Sequence, residues 1–192
     1  MAGPRPDARR DESAWIARAR LGDLDAFDAL VERHYVRLFR TAFHLVGNHE
    51  DAEDLTQEAF LKAHRGLRWY RGSAPFHGWL RRILVHLVRD RFRRRERRPV
   101  ATELDEGELA GERAEPFQRL RRAELGRLLE RAIERLPEAQ RIALLLRVRD
   151  GAGYDEISDA TGVTPATART QVMKARRALL ESMRPYLEER ER

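Results

Sequence analysis

Between Asp54 and Arg98 the side-chain chemistry changes three times within one short stretch. Asp54, Gln57, Glu58 and Leu61 come first, spaced so that a helix brings all four within about a third of its circumference. A leucine inside an acidic, hydrogen-bonding rim has the composition of a small protein-binding patch. A solvated helix face with one incidental leucine has the same pattern. Trp69, Tyr70, Phe76 and Trp79 follow within eleven residues, interleaved with Arg68, Arg71 and Gly72. Rings beside guanidiniums can stack on and clamp unpaired bases. Trp79 keeps step with Leu80, Ile83 and Leu87 and reads as core, which leaves Trp69 and Tyr70 as the exposed rings. The third set is Arg82, His86, Arg89 and Arg93, within about 60° of one another at roughly 100° per residue. Three guanidiniums and an imidazole in one row match the phosphates and base edges of a nucleic-acid strand. A solvated basic face is the alternative.

A second constellation lies near the C-terminus. Tyr154–Thr161 reads as a short helix, Gly162-Val163-Thr164 as a turn, and Pro165 onward as a second helix, with Thr164 as its cap and Pro165 at its first position. Ile157, Val163, Ala168, Val172, Ala175 and Leu179 would pack between the two. Thr164, Thr167, Arg169, Thr170, Gln171, Lys174 and Arg177 then face outward, a set suited to a DNA groove. A helical hairpin with no DNA role would pack in the same way. Catalysis finds no footing. The six histidines form no metal-ligand spacing, no glycine-rich phosphate loop follows a strand, and no nucleophile has an adjacent base. Neither a metal, a cofactor nor an enzymatic role is expected.

The elements that must position these sets are helical. Phe27, Leu30, Val31, Tyr35, Leu38, Phe39, Ala42 and Leu45 recur at three- and four-residue steps, one apolar stripe on a long helix that Gly47-Asn48 ends. Asn48 can cap the next helix, whose first turn carries Glu50, Asp51 and Glu53. A third helix is predicted from about Phe76 to Arg95. Further on, Leu125, Leu128, Leu129, Ala132, Ile133 and Leu136 form one face, stopped by Pro137, and Glu138–Val148 forms another helix. No strand alternation appears, so the fold class is all-α.

Charge marks the boundaries. From Arg81 to Arg98 there are nine arginines against Asp90 and Glu96, whereas Pro99 to Gln118 has six acidic residues against Arg113. That acidic stretch lacks an apolar period and reads as a flexible linker over 99–118. It separates a module at 12–98 from one at 119–187, with a disordered N-terminus at 1–11 and a tail at 188–192. The 192 residues carry a net charge of +6, and Lys62 and Lys174 are the only lysines among 38 basic residues. Arginine forks onto phosphate and stacks on bases, which suits nucleic acid; a GC-rich genome would also produce this ratio. With no cysteine there is no disulfide framework. No apolar run is long enough to span a bilayer and the N-terminus has no secretory signal, so a cytoplasmic location without membrane insertion is expected.

DAEDLTQEAFLKAHRGL, FHGWLRRILVHLVRDRFRR and ERLPEAQRIALLLRVRDGAGYDEISDATGV…KARRAL together resemble the extracytoplasmic-function (ECF) sigma factors, the short two-domain branch of the bacterial sigma-70 family. The resemblance covers about residues 20–98 and 124–183. It implies two small helical domains, sigma regions 2 and 4, and a promoter-specificity role with core RNA polymerase and promoter DNA as partners. Asp54, Gln57, Glu58 and Leu61 would meet the clamp coiled coil of the largest polymerase subunit. Tyr70, Arg81, Arg82 and His86, with Trp69, Arg71, Arg89 and Arg93 beside them, would surround the melted −10 element and a flipped-out base. The acidic linker would run through the RNA exit channel. Thr164, Thr167, Arg169, Thr170, Gln171, Lys174 and Arg177 would meet double-stranded −35 DNA. An anti-sigma factor is a further implied partner. Three features depart from the family pattern: His86 stands where asparagine is common, Ala166-Thr167-Ala168 replaces Gly-Thr-Val, and Gln171 replaces an arginine. The rival reading is a stand-alone helix-turn-helix regulator, which has no use for a polymerase-binding face.

Overall fold

The computed structural model describes residues 6–72, 74–97 and 116–188. Those residues form eight α-helices and one 3-10 turn, with no strand among them. The chain divides into two units, Met1–Arg94 and Arg95–Arg192.

The first unit holds α1 (Pro6–Arg20), α2 (Leu24–Val46), α3 (His49–Gly66), the 3-10 turn Leu67–Trp69 and α4 (Phe76–Arg97). Local chemistry sets the ends. Asp23 caps α2, its carboxylate accepting from the Ala26 N–H at 3.1 Å and from Arg18 at 2.7 Å. The Ala26 bond, then the arginine, hold this carboxyl below its usual pKa. Gly47 closes α2 at φ 82°, a left-handed conformation that costs glycine little. Asn48 then caps α3 by accepting from the Asp51 N–H at 2.8 Å. The apolar stripe of α2 packs on α3 through Leu30, Leu38, Ala42 and Leu45, against Ala52, Ala59, Phe60 and Ala63. Three alanines on the α3 side let the two helices approach closely. Leu80, Leu84 and Val88 of α4 complete the core, and an ion pair from Arg91 to Asp51 ties α4 to α3.

Of the segment 1–11 expected to be disordered, residues 1–5 lie outside the described residues and 6–11 belong to helix α1, which begins at Pro6. Proline fits a helix start because it needs no N–H partner there. The helix is held by contacts remote in sequence. Glu12 Oε2 accepts from Arg33 Nε at 2.9 Å and lies 3.2 Å from His34 Nε2, and the Arg33 guanidinium sits 5.8 Å from the Trp15 ring.

The second unit holds α5 (Pro116–Glu134), α6 (Glu138–Val148), α7 (Tyr154–Thr161) and α8 (Pro165–Glu188). Helix α8 packs on the other three, with Ala168, Val172 and Ala175 buried among Ile142, Leu146 and Ile157. Most of the linker expected over 99–118 lies outside the described residues, but 116–118 already belong to α5, again opened by a proline. The apolar face expected along α5 reaches the core at Ala132 and Leu136 and leaves Leu125 and Leu129 part exposed.

Candidate functional site

On α3 the four residues Asp54, Gln57, Glu58 and Leu61 all lie on one exposed face. Leu61 is 58% exposed, and behind it Leu55, Ala59, Phe60 and Ala63 are buried. Glu58 pairs with Lys62 one turn on, at 3.5 Å. The face therefore presents an apolar side chain within a polar rim, supported by a rigid helix.

The rings separate. Trp69 is 63% exposed, with the Arg68 guanidinium 3.7 Å from its ring centre. Arg20 of α1 donates to the Arg68 carbonyl at 3.5 Å and steadies the turn from behind. Tyr70 corrects the expectation of a second exposed ring, being only 9% exposed. Its hydroxyl donates to the Ala74 carbonyl at 2.6 Å, and its ring packs on Phe76 at 5.6 Å and Trp79 at 5.1 Å. Burial pushes its pKa above the ordinary phenol value, so it stays a neutral donor. Trp69 is the last residue of the 3-10 turn and Tyr70 follows it in extended conformation, so the two neighbouring rings take different directions. Arg71 remains exposed.

On α4 the row of Arg82, His86 and Arg93 is exposed and Arg89 is half-buried. His86 Nδ1 lies 2.9 Å from the Arg82 carbonyl, and Arg93 pairs with Asp90 at 3.3 Å. Arg81 is a second correction: it is 4% exposed and points inward. With His34, Arg37, Thr41 and His77 it lines a small cavity between α2 and the start of α4. One position along a helix is a 100° turn, which takes Arg81 off the row that Arg82 occupies.

In the second unit Gly162 makes the turn at φ 74°, and Ser158 donates to the Val163 carbonyl at 2.6 Å across it. Thr164 caps α8, accepting from the Thr167 N–H at 3.2 Å. Thr164, Thr167, Arg169, Thr170, Lys174 and Arg177 are exposed, while Gln171 is half-buried. Arg177 donates to Glu181 at 2.8 Å. Two features of this surface were not anticipated. Met173 is 63% exposed in the middle of the outward set. The Tyr154 ring lies between two guanidiniums, Arg147 and Arg169, each 5.0 Å from its centre, and Arg147 is itself fixed by donating to the Ala152 carbonyl at 2.9 Å. Met173 could have been found from its helical phase, one turn after Arg169 and Thr170. The tyrosine stack joins three helices and has no signature in spacing.

Residues 30–98 match the Sigma-70 region 2 family, and residues 126–179 match Sigma-70, region 4. The RNA polymerase sigma-H factor of Pseudomonas aeruginosa is 31% identical over 182 residues, covering 91% of this chain and 94% of its own length. The chain belongs to the ECF sigma factors of the sigma-70 family. The ECF RNA polymerase sigma-E factor of Escherichia coli K12 is 32% identical over 180 residues, covering 90% of this sigma factor and 94% of its own chain. Two solved structures share the fold at 23% identity. One is CnrH in complex with the cytosolic domain of CnrY, with a TM-score of 0.62 over 91% of this chain and 98% of that one. The other is the sigma factor RpoE of Bartonella quintana in complex with the anti-sigma factor NepR, with a TM-score of 0.61 over 82% and 96%. All three exposed sets of this ECF sigma factor fall inside the two matched segments. Among the described residues no helix is long and apolar enough to cross a membrane.

Proposed function

We propose that this sigma factor assigns its three exposed sets to three partners. Asp54, Gln57, Glu58 and Leu61 dock on the clamp coiled coil of core RNA polymerase. Trp69, Arg71, Arg82, His86, Arg89 and Arg93 hold the melted −10 element, with Tyr70 and Arg81 bracing that surface from beneath. Thr164, Thr167, Arg169, Thr170, Gln171, Lys174 and Arg177 meet the −35 element as duplex, Thr164 by capping the start of the helix and the others by reaching into the groove. Met173 adds an apolar contact of the kind that meets a thymine methyl. The acidic segment ahead of α5 takes a path through polymerase otherwise open to RNA. The chain makes and breaks no bond itself and acts in the cytoplasm, where an anti-sigma factor restrains it, as NepR is bound to the Bartonella quintana protein.

The observation that carries this reading is Leu61, a large apolar side chain held in solvent on an acidic face that a stand-alone helix-turn-helix regulator would not need. Leu61→Glu is expected to weaken binding to purified core polymerase by about 30-fold, the effect of losing an interface centre worth about 2 kcal/mol. Its circular dichroism should not change, because the side chain is exposed. Run-off transcription with core polymerase and wild-type protein is the companion measurement. Absence of any promoter-dependent product would falsify the sigma reading.

A further inference from the structure

The small cavity between α2 and the start of α4 has a lining of one sign. Its polar groups are His34, Arg37 and Thr41 from α2 and His77 and Arg81 from α4. Both guanidiniums stay charged at any pH the protein meets, and each imidazole can add a further positive charge. No carboxylate lines the space among the described residues. Glu12 reaches His34 from α1 at 3.2 Å, but it also pairs with Arg33 at 2.9 Å, so it balances only part of this charge. His34 registers the result: burial lowers its pKa, Glu12 opposes that, and Arg33 and Arg37 lower it further. Arg81, His34 and Thr41 are buried, whereas Arg37 is exposed and gives the space a solvent-facing side.

Size narrows the choice of occupant. The space has room for roughly one particle of water size, too little for a tetrahedral oxyanion. Water would fit, but it would leave the like charges of α2 and α4 facing each other, a repulsion stronger between buried groups than between solvated ones. A monatomic anion fits as well and is attracted from both helices. Thr41 donates to the Arg37 carbonyl at 3.2 Å, so the donors suited to such an ion are the N–H groups of the arginines and histidines. We infer that this cavity is a binding site for one small monovalent anion of the halide class, chloride being the physiological one, which ties α2 to α4. The site is separate from the exposed polymerase and promoter surfaces and does not depend on their assignment.

The three tryptophans, Trp15, Trp69 and Trp79, all lie in the first unit, so their fluorescence follows its unfolding within the full chain. The test exchanges gluconate, which is too bulky to enter, for chloride at constant ionic strength. A ligand that binds only the folded state raises the midpoint, and the rise expected is about 3–6 °C relative to the same exchange in Arg37→Gln. Arg37 is exposed, so that variant should fold. Arg81→Met, which keeps a long unbranched side chain and loses the charge, should also lose the response. Crystals of the protein grown with bromide should show an anomalous scatterer between Arg37 and Arg81. An equal response in wild type and Arg37→Gln, or a cavity without bromide, would make water the sole occupant and overturn the inference. A larger Arg37-dependent rise with inorganic phosphate than with chloride would overturn it too, by assigning the site to an oxyanion.

Discussion

Trp69 and Tyr70 are neighbours in sequence with opposite duties, and substitution separates them. Trp69 is solvent-facing and touches Arg68, so Trp69→Ala should change folding stability by no more than about 0.5 kcal/mol. On promoter DNA the same change removes one stacking platform, worth about 1–3 kcal/mol. Permanganate footprinting of the melted strand would report it as a weaker open complex. Tyr70→Ala should do the reverse. It empties the space beside Phe76 and Trp79 and is expected to cost about 3–5 kcal/mol by chemical denaturation. Tyr70→Phe keeps the packing and loses only the bond to the Ala74 carbonyl, about 1 kcal/mol. Equal stability losses for Trp69→Ala and Tyr70→Ala would contradict this division.

At the scale of elements, two junctions make predictions that no single residue's exposure would give. The first joins α1 to α2 at His34. The ring is buried, and burial, partly offset by Glu12, lowers its pKa from the ordinary 6.5. Arg33 and Arg37 lower it further, and His77 and Arg81 of α4 share its cavity. The unfolded chain therefore binds the proton more readily than the folded one. This contribution to stability is complete above about pH 6.5 and is lost as pH falls through that value toward the folded pKa. Denaturation midpoints compared between pH 7.5 and 5.5 should fall more for wild type than for His34→Gln; parallel curves would exclude His34 as the source. The second junction is Tyr154, against which Arg169 of α8 rests. Tyr154→Ala frees Arg169 to sample other rotamers and should weaken −35 duplex binding in gel shift by about 0.5–1 kcal/mol, whereas Tyr154→Phe keeps the ring face and should bind as wild type. These junctions also mark where reading the sequence stops. Helical phase alone located the outward faces of α3, α4 and α8, because one stripe is apolar and the rest follows. Gly47, Asn48, Gly162 and Thr164 could be placed because caps and turns depend on near neighbours. Arg81 shares the helical phase of the buried Leu84, Val85 and Val88, so its inward turn was legible in the spacing. The Glu12 clasp and the burial of Tyr70 depend on contacts from other elements, which helical phase and local spacing do not specify.

For the whole molecule the question is whether its two units act on DNA as independent binders. The cations proposed for the −10 element lie in Met1–Arg94 and those for the −35 element in Arg95–Arg192. Arg82 and Lys174 are both exposed, one from each set. Each phosphate contact with duplex releases counterions and steepens the logarithmic dependence of affinity on salt by about 0.9, or about 0.7 on a single strand. Lys174→Ala should therefore flatten the slope by about 0.9 and Arg82→Ala by about 0.7, measured with holoenzyme on one promoter across a salt series. Sites that share no partner add their free energies to within about 0.3–0.5 kcal/mol. The double variant is expected to lose the sum of the single losses, and its slope to flatten by the sum of the two changes. A double-variant loss falling short of that sum by more than about 1 kcal/mol would mean that engagement of one element depends on the other. The two units would then read the promoter in sequence, the first contact setting the terms for the second.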